Sequence, residues 1–259
     1  MPNERSEMRH IERNEAKRWS ENMRSERSGA AKICPNERTS FKEVLASDFV
    51  IKEFAKYDAV HEQDIACHGF SHALNCVEIV EKVARLFELE DEMIDDVKIA
   101  ALLHDIGVGD IGKLNHDVRS AEFARKHFRL SEEVIDAIRF HDQTGGDSIQ
   151  KKLVSFADKL DVNKNRITKS GLNKIGHRQY SHIMDTEILI KDGLLVIVFK
   201  TDGKLNIQEM MDYPFTYMIF EATQNLASHF GIGYKLFVDE KEIKKVVDNK
   251  KIIHNEGTR

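Results

Sequence analysis

The apolar run Ile99–Leu103 ends in a histidine and an aspartate, His104 and Asp105. Buried polar groups cost free energy unless they are paired, and an ionised carboxylate away from water needs a cation or a metal ion beside it. The residue types at this point therefore predict a partner for both side chains. A divalent metal ion suits them, because imidazole and carboxylate are both common metal ligands.

Other histidines and acids lie beside apolar helical patterns in the same way. They are His72 in HALNCVEIV, His116 in HDVRSAEFA, His141 at the end of VIDAIRFH, and Asp158 in VSFADKL. A single histidine on an apolar helix face is more often a hydrogen-bonded core residue, but residues from separate helices can converge on one point of a bundle. The combination, with no cysteine ligand, favours Fe, Mn, Co or Zn over a structural zinc site.

Four of these residues, taken in chain order, resemble the H, HD and D signature of the HD superfamily of metal-dependent phosphohydrolases. They are His72, His104, Asp105 and Asp158. The surrounding segments SHALNCVEIV, AALLHDIG and VSFADKLD are similar too, and the resemblance covers roughly residues 60–165. It implies a helical bundle in which the four side chains bind a divalent metal ion.

His116 and His141 fall where the binuclear members of this superfamily carry two further histidines. We therefore assign His72, His104, Asp105 and Asp158 to a first ion, and Asp105, His116 and His141 to a second. Two ions that share Asp105 would stabilise the attacking and leaving oxygens of an in-line phosphoryl displacement and lower the pKa of a water between them. The expected cofactor is one or two divalent ions, with Fe, Mn, Co, Zn, Ni and Mg as candidates.

Cations close to these ligands in sequence are candidates for contacting a negatively charged substrate. Lys113 follows the HD pair in a glycine-rich stretch and is predicted, with Asp105, to be catalytic. The residues predicted to bind substrate are Arg119, Arg139 and Lys159. Asp142 either orients the neighbouring imidazole, holds a water or lies in solvent.

The residues that follow the HD pair differ from those found at this place in two branches of the superfamily. It reads HDIGVGDIGK, and the later segment HDQTGGDS has no GYP motif, which argues against a cyclic-dinucleotide substrate. Lys113 also comes several residues later than the lysine of the diadenosine-polyphosphate hydrolases. The sequence therefore does not name the substrate.

Two other histidines, His61 and His68, compete with His72 for the first ligand position. Gly69 and Ser71 indicate a helix that begins near Ser71, which favours His72 at the head of the apolar stripe. The remaining histidines are expected to be structural or exposed; they are His127, His177, His182, His229 and His254.

The apolar periodicity predicts a mainly α protein, with an HD-type helical bundle followed by a small α/β unit. The bundle spans residues 41–180, and Ser131 is a plausible N-cap within it. In the α/β unit, residues 181–240, Asp192-Gly193 predicts a hairpin, Met210–Phe230 a helix and Tyr234–Val238 a strand, which gives the order strand, strand, helix, strand.

The two ends of the chain have a different composition. Residues 1–40 are rich in Glu, Arg, Ser and Asn and predict a flexible tail or a frayed helix, in which Trp19 could mark a partner-binding arm. Residues 241–259 predict a loosely ordered basic tail. The hydrophobic hairpin of the α/β unit could pack on the bundle or form a homodimer by edge pairing.

Composition excludes several functional classes. The 259 residues carry a net charge of -5, which argues against nonspecific binding of nucleic acid. No apolar run reaches the about 18 to 20 residues of a membrane span, and the three cysteines form no CxxC pair, so we expect a cytoplasmic protein. The predicted function is metal-dependent hydrolysis of a nucleotide or other small phosphorylated molecule. A di-iron oxygenase and a nucleotide-sensing regulatory protein are the alternatives.

Overall fold

The computed structural model describes residues 38–60, 64–143 and 147–245, with the backbone only at 58–60. The predicted arm around Trp19, the competing ligand His61 and His254, which was expected to be structural or exposed, lie outside the described residues. Within the described part, helices form a bundle and four strands form one sheet near the C-terminal end. This confirms the prediction of a mainly α protein with a small α/β unit.

The bundle consists of eight helices that follow one another along the described part of the chain. They are α1 (Phe41–Leu45), α2 (Asp48–Val60), α3 (Phe70–Leu86), α4 (Asp91–Leu103), α5 (His116–His127), α6 (Glu132–Arg139), α7 (Ile149–Leu160) and the short α8 (Lys169–Leu172). Short 3₁₀ segments follow α4 and α8, at Ile106–Val108 and His177–His182.

Serine side chains begin several of these helices, because their oxygens satisfy amides that have no partner within the helix. Ser131 accepts from the amide of Val134, which confirms the predicted N-cap of α6, and Ser148 does the same at the start of α7. Ser40 and Glu43 form a reciprocal capping box at α1. The caps at α6 and α7 fix where the helices that lead to His141 and Asp158 begin.

Helix α4 is the centre of the bundle, with α3, α6 and α7 packed around it. All five residues of Ile99–Leu103 are fully buried. The C-terminal half of α4 is covered on several sides and has no polar face, which explains the continuous apolar run in the sequence. The polar pair that follows the run therefore emerges inside the bundle.

The C-terminal unit is built on β1 (Ile183–Lys191), β2 (Leu194–Thr201), β3 (Gly233–Val238) and β4 (Lys241–Ile243), in the spatial order β1-β2-β3-β4. Asp192 and Gly193 both have positive φ, as the two-residue hairpin between β1 and β2 requires. Helices α9 (Ile207–Met211) and α10 (Pro214–His229) connect β2 to the parallel strand β3, and α10 packs on α7. Strand β1 lies at one edge, and a homodimer through that edge stays a prediction.

Three boundaries differ from the predicted ones. The helix predicted over Met210–Phe230 is two helices, because the ring of Pro214 and its missing amide hydrogen allow it only in a first turn. Residues 241–243 form β4 rather than the start of a loose tail. Residues 38–40, predicted to end the N-terminal tail, are attached to the bundle, since Arg38 pairs with Asp96 at 2.6 Å and Ser40 caps α1.

Among the residues that the structure describes, no helix combines the length and the apolar character needed to cross a membrane.

Candidate metal centre

The six predicted metal ligands all lie at or near helix ends that meet inside the bundle. His72 is in the first turn of α3, His104 and Asp105 directly follow α4, His116 opens α5, His141 lies just after α6, and Asp158 is in the last turn of α7. All six are buried. The fold therefore brings together side chains that are up to 86 positions apart in the sequence, as between His72 and Asp158.

A first group contains His72, His104, Asp105 and Asp158. The Nε2 atoms of His72 and His104 are 3.1 Å apart. Oδ2 of Asp105 lies 3.5 Å from Nε2 of His72 and 3.4 Å from Nε2 of His104. Oδ1 of Asp158 lies 3.3 Å from Nε2 of His72. Four donor atoms therefore surround one small volume.

A second group uses the other oxygen of the same aspartate. Oδ1 of Asp105 lies 3.1 Å from Nε2 of His116 and 3.4 Å from Nε2 of His141. The two Nε2 atoms are 3.2 Å apart. Asp105 is thus shared by both groups, with one oxygen turned to each.

Hydrogen bonds fix which nitrogen of each histidine is left as a donor atom. Three of the rings donate from Nδ1, each at 2.7 Å, to the backbone carbonyl three residues earlier; the pairs are His104 to Ala101, His116 to Lys113 and His141 to Ile138. Nδ1 of His72 instead donates to Oδ2 of Asp161 at 2.7 Å. In a neutral imidazole the proton on Nδ1 leaves a lone pair on Nε2. All four lone pairs therefore point into the two groups.

These donor atoms fit divalent metal ions. Nitrogen and oxygen ligands lie about 2.0–2.2 Å from zinc-like ions, which places neighbouring ligand atoms about 3 to 3.5 Å apart. The separations above agree with that spacing. Facing lone pairs without hydrogens repel each other, so a cation between them removes the conflict. The observed carboxylate and carbonyl partners of Nδ1 are also the usual supports of metal-binding histidines.

Two buried cations hold the carboxylates of the first group. Arg166 donates to Oδ1 of Asp158 at 3.1 Å and to the backbone carbonyls of Asp158 and Asp161. Lys159 donates to Oδ2 of Asp158 at 2.5 Å and to Asp142 at 2.9 Å. Burial by itself would raise the pKa of Asp158, but the charges of Lys159 and Arg166 hold that pKa well below its usual range.

Asp105 is held ionised in the same way. Its burial favours the neutral acid, yet the hydrogen bond from Nδ1–H of His68 favours the carboxylate, and the pKa of Asp105 lies well below its usual range. Both carboxylates that belong to the first group therefore stay negatively charged at neutral pH, as a metal site requires.

The loop between Asp105 and His116 lies tightly against α5. A Cβ atom on Gly107 would lie 2.5 Å from both the carbonyl oxygen of His116 and the amide nitrogen of Ser120, so this position accepts only glycine without a shift of the helix. Arg119 donates to the backbone carbonyls of Gly107, Gly112 and Leu114. The loop and the start of α5 are thus fixed to each other.

The structure gives different surroundings to Lys113, which was predicted to be catalytic, and to the three cations predicted to bind substrate. Lys113 is exposed, and its ammonium is close enough for the carboxylates of Asp105 and Asp158 to raise its pKa, although partial desolvation outweighs them and lowers it. Arg119 is engaged by loop carbonyls, and Arg139 is exposed and lies over the ring of Phe140. Lys159 is buried and donates to the buried Asp158 and to the half-exposed Asp142. Substrate binding by these residues stays a prediction.

Asp142 is the half-exposed acid of the site. One of its oxygens accepts from Lys159, and the other lies 3.5 Å from Nε2 of His116. The structure thus places Asp142 next to the second group rather than away from it in solvent.

Sequence reasoning missed three side chains of the site, namely Asp161, Arg166 and His68 as a partner of Asp105. Asp161 carried a usable signal, because it follows Asp158 by three positions, close to one face of the same helix end. It also accepts from the side-chain amides of Asn75 and Asn163, which orients it toward His72. Arg166 lies after α7 in a polar stretch with no comparable pattern.

His72, not His68, reaches the ligand groups. Helix α3 begins at Phe70 with Gly69 as its N-cap, one residue before the predicted start. Nε2 of His72 joins the first group, whereas His68 lies on the preceding loop, with Nδ1 2.6 Å from Oδ2 of Asp105.

Comparison with known proteins gives one family. The model of the HD domain matches residues 69–163, which includes every ligand of both groups. A comparison with curated proteins returned no match. The matched segment begins at the N-cap of α3 and ends beyond α7, so it contains the helix ends that form the site. Residues 69–163 of the chain therefore match the HD domain, in agreement with the resemblance described above.

Proposed function

We propose that this protein is a metal-dependent phosphohydrolase that cleaves a phosphoester or phosphoanhydride bond of a nucleotide or another small phosphorylated molecule. One observation carries the proposal: Asp105 presents one oxygen to each of two groups of imidazole donors. A carboxylate shared by two ions is the arrangement used for in-line phosphoryl displacement.

The first group, with its four donors, would hold one ion, and the second, with three, would hold another. When bound, such ions supply positive charge for the attacking and leaving oxygens of the phosphoryl group and lower the pKa of a coordinated water. The second group offers fewer protein donors, which leaves more of the coordination shell for water and substrate.

The protein side chains complete this arrangement by holding the carboxylates in place. Arg166 and Lys159 keep Asp158 ionised and oriented, and Asp161 fixes the ring of His72. Lys113 is the candidate for contacting a phosphate oxygen, because it is exposed and its ammonium is influenced by the charges of Asp105 and Asp158.

The direct test combines metal analysis with a phosphate-release screen on the purified protein. Metal-free protein is loaded separately with Mn, Fe, Co, Zn, Ni or Mg and assayed against nucleoside mono-, di- and triphosphates, sugar phosphates and a simple aryl phosphate. We expect release of phosphate or pyrophosphate with at least one ion and none without metal. Oxygen consumption by the iron-loaded protein without phosphate release would favour the oxygenase alternative. Tight nucleotide binding without turnover would favour the sensing role.

The substitution His116→Ala tests whether two ions bind. His116 contributes only to the second group, so its loss is expected to halve the number of bound ions rather than remove them all. Elemental analysis after equilibrium dialysis measures this number. His127→Ala is the matched control, because His127 ends the same helix and packs against the rings of Phe49 and Phe123. An unchanged stoichiometry in His116→Ala would indicate a single ion.

A further inference from the structure

His68 touches the shared carboxylate but is not placed as a ligand. Its Nδ1 lies 2.6 Å from Oδ2 of Asp105, which is shorter than the about 3 Å or more that separates neighbouring ligand atoms on one ion with bonds of about 2.1 Å. The distance is that of a charge-assisted hydrogen bond. Because an ionised carboxylate carries no hydrogen, Nδ1 of His68 is the donor.

The surroundings of His68 fix the ring in this position. The amide of His68 donates to the hydroxyl of Tyr57 at 2.7 Å, and the amide of Cys67 donates to the carbonyl of Arg166 at 2.7 Å. The ring meets that of Tyr57 edge-on. Its Nε2 is buried and has no hydrogen-bond partner among the described residues. The hydrogen bond from Nδ1 to Asp105 is therefore the polar contact that the ring makes in this position.

A carboxylate oxygen has two lone pairs, so Oδ2 of Asp105 can accept from His68 and still face the first group. With Oδ2 held in this way, rotation of the carboxylate about its Cβ–Cγ bond is restricted, and Oδ1 stays directed at His116 and His141. The second group depends on this more than the first, because Asp105 is one of its three donors and one of four in the first.

We infer that His68 is a positioning residue, which fixes the shared carboxylate through Nδ1–H and thereby maintains the second ion site. The inference rests on the proposed function, since it requires that metal ions bind to the two groups. It adds a role for a side chain outside both ligand groups and predicts which of its two nitrogens matters.

Three substitutions distinguish the contributions of the two ring nitrogens of His68. His68→Phe removes both, His68→Asn keeps an amide donor near the position of Nδ1, and His68→Gln places one near Nε2 instead. All three retain the backbone bond to Tyr57. Metal-free protein is titrated with Mn²⁺ by calorimetry, and thermal unfolding followed by circular dichroism reports whether each variant is folded.

We expect His68→Phe and His68→Gln to bind the weaker Mn²⁺ ion about 10- to 100-fold less tightly, which is the usual effect of removing a residue that supports a metal ligand. His68→Asn is expected to bind it with close to wild-type affinity. A wild-type protein that takes up one ion only would overturn the inference, because the second ion site would then not exist. The comparison of Asn with Gln remains informative even if the Phe variant does not fold.

Equal Mn²⁺ affinity in wild type, His68→Gln and His68→Asn would overturn the inference while leaving the proposed function intact. Rescue by Gln and not by Asn would also overturn it, because Nε2 would then be the working atom. A wild-type protein that binds no divalent ion would instead overturn the proposed function, and the inference with it.

Discussion

The Asp105→Asn variant is expected to lose both metal binding and phosphate release while keeping its helical fold. A single carboxylate serves both ligand groups, and the amide that replaces it has one oxygen and an NH₂ that repels a cation. The side chain keeps its shape, so the packing around α4 has little reason to change. Elemental analysis, the phosphate-release assay and far-ultraviolet circular dichroism measure the three properties on the same preparation.

Asp110→Asn is the matched control for this variant. Asp110 lies in the same loop, between Asp105 and His116, but is exposed and belongs to neither ligand group. It should retain the metal content and turnover of the wild type. Full metal content in Asp105→Asn would show that the assigned site is wrong, whatever the activity.

Arg166→Met is expected to lower the free energy of unfolding of the metal-free protein by about 3 to 5 kcal/mol, the usual cost of removing one partner of a buried ion pair. Its guanidinium is buried and donates to the side chain of Asp158 and to three backbone carbonyls. Burial by itself would lower the pKa of Arg166, but the charges of Asp158 and Asp161 raise it above its usual range. Urea unfolding in the presence of a chelator measures the change.

The control for Arg166 is an arginine whose ion pair is exposed. Arg85 pairs with Glu81 along α3, and pairs of this kind contribute about 0.3–0.5 kcal/mol. Arg85→Met should therefore change the unfolding free energy much less. Similar losses in the two variants would mean that the buried network around Asp158 contributes no more than a surface pair.

The sequence by itself identified the six candidate ligands and the helices that carry them. It could do so because apolar periodicity locates helices, and polar residues that interrupt an apolar pattern stand out from it. The continuous run Ile99–Leu103, the cap at Ser131 and the hairpin at Asp192-Gly193 were predictable for the same local reasons. Pro214 also indicated a break between two helices. The apolar pattern continues on both sides of it, however, so periodicity alone predicted a single helix.

Only the tertiary structure decided which atoms face each other. His68 and Asp105 are 37 positions apart, and His72 and Asp161 are 89 apart. Periodicity gives the face of a helix on which a side chain lies, but the partner on another element depends on how the helices pack. For the same reason the sequence could not tell that Lys159 is engaged by two carboxylates or that Arg119 holds a loop.

What the sequence can predict and what it cannot depends on how far apart the interacting residues are along the chain. Helix formation, capping and turn geometry depend on residues within a few positions of each other, so residue types and spacing determine them. The sharing of Asp105 between two groups depends on helix ends that meet only in the folded bundle. The sequence therefore determined which side chains could bind metal, and the packing of α3 to α7 decided that one carboxylate oxygen faces each group.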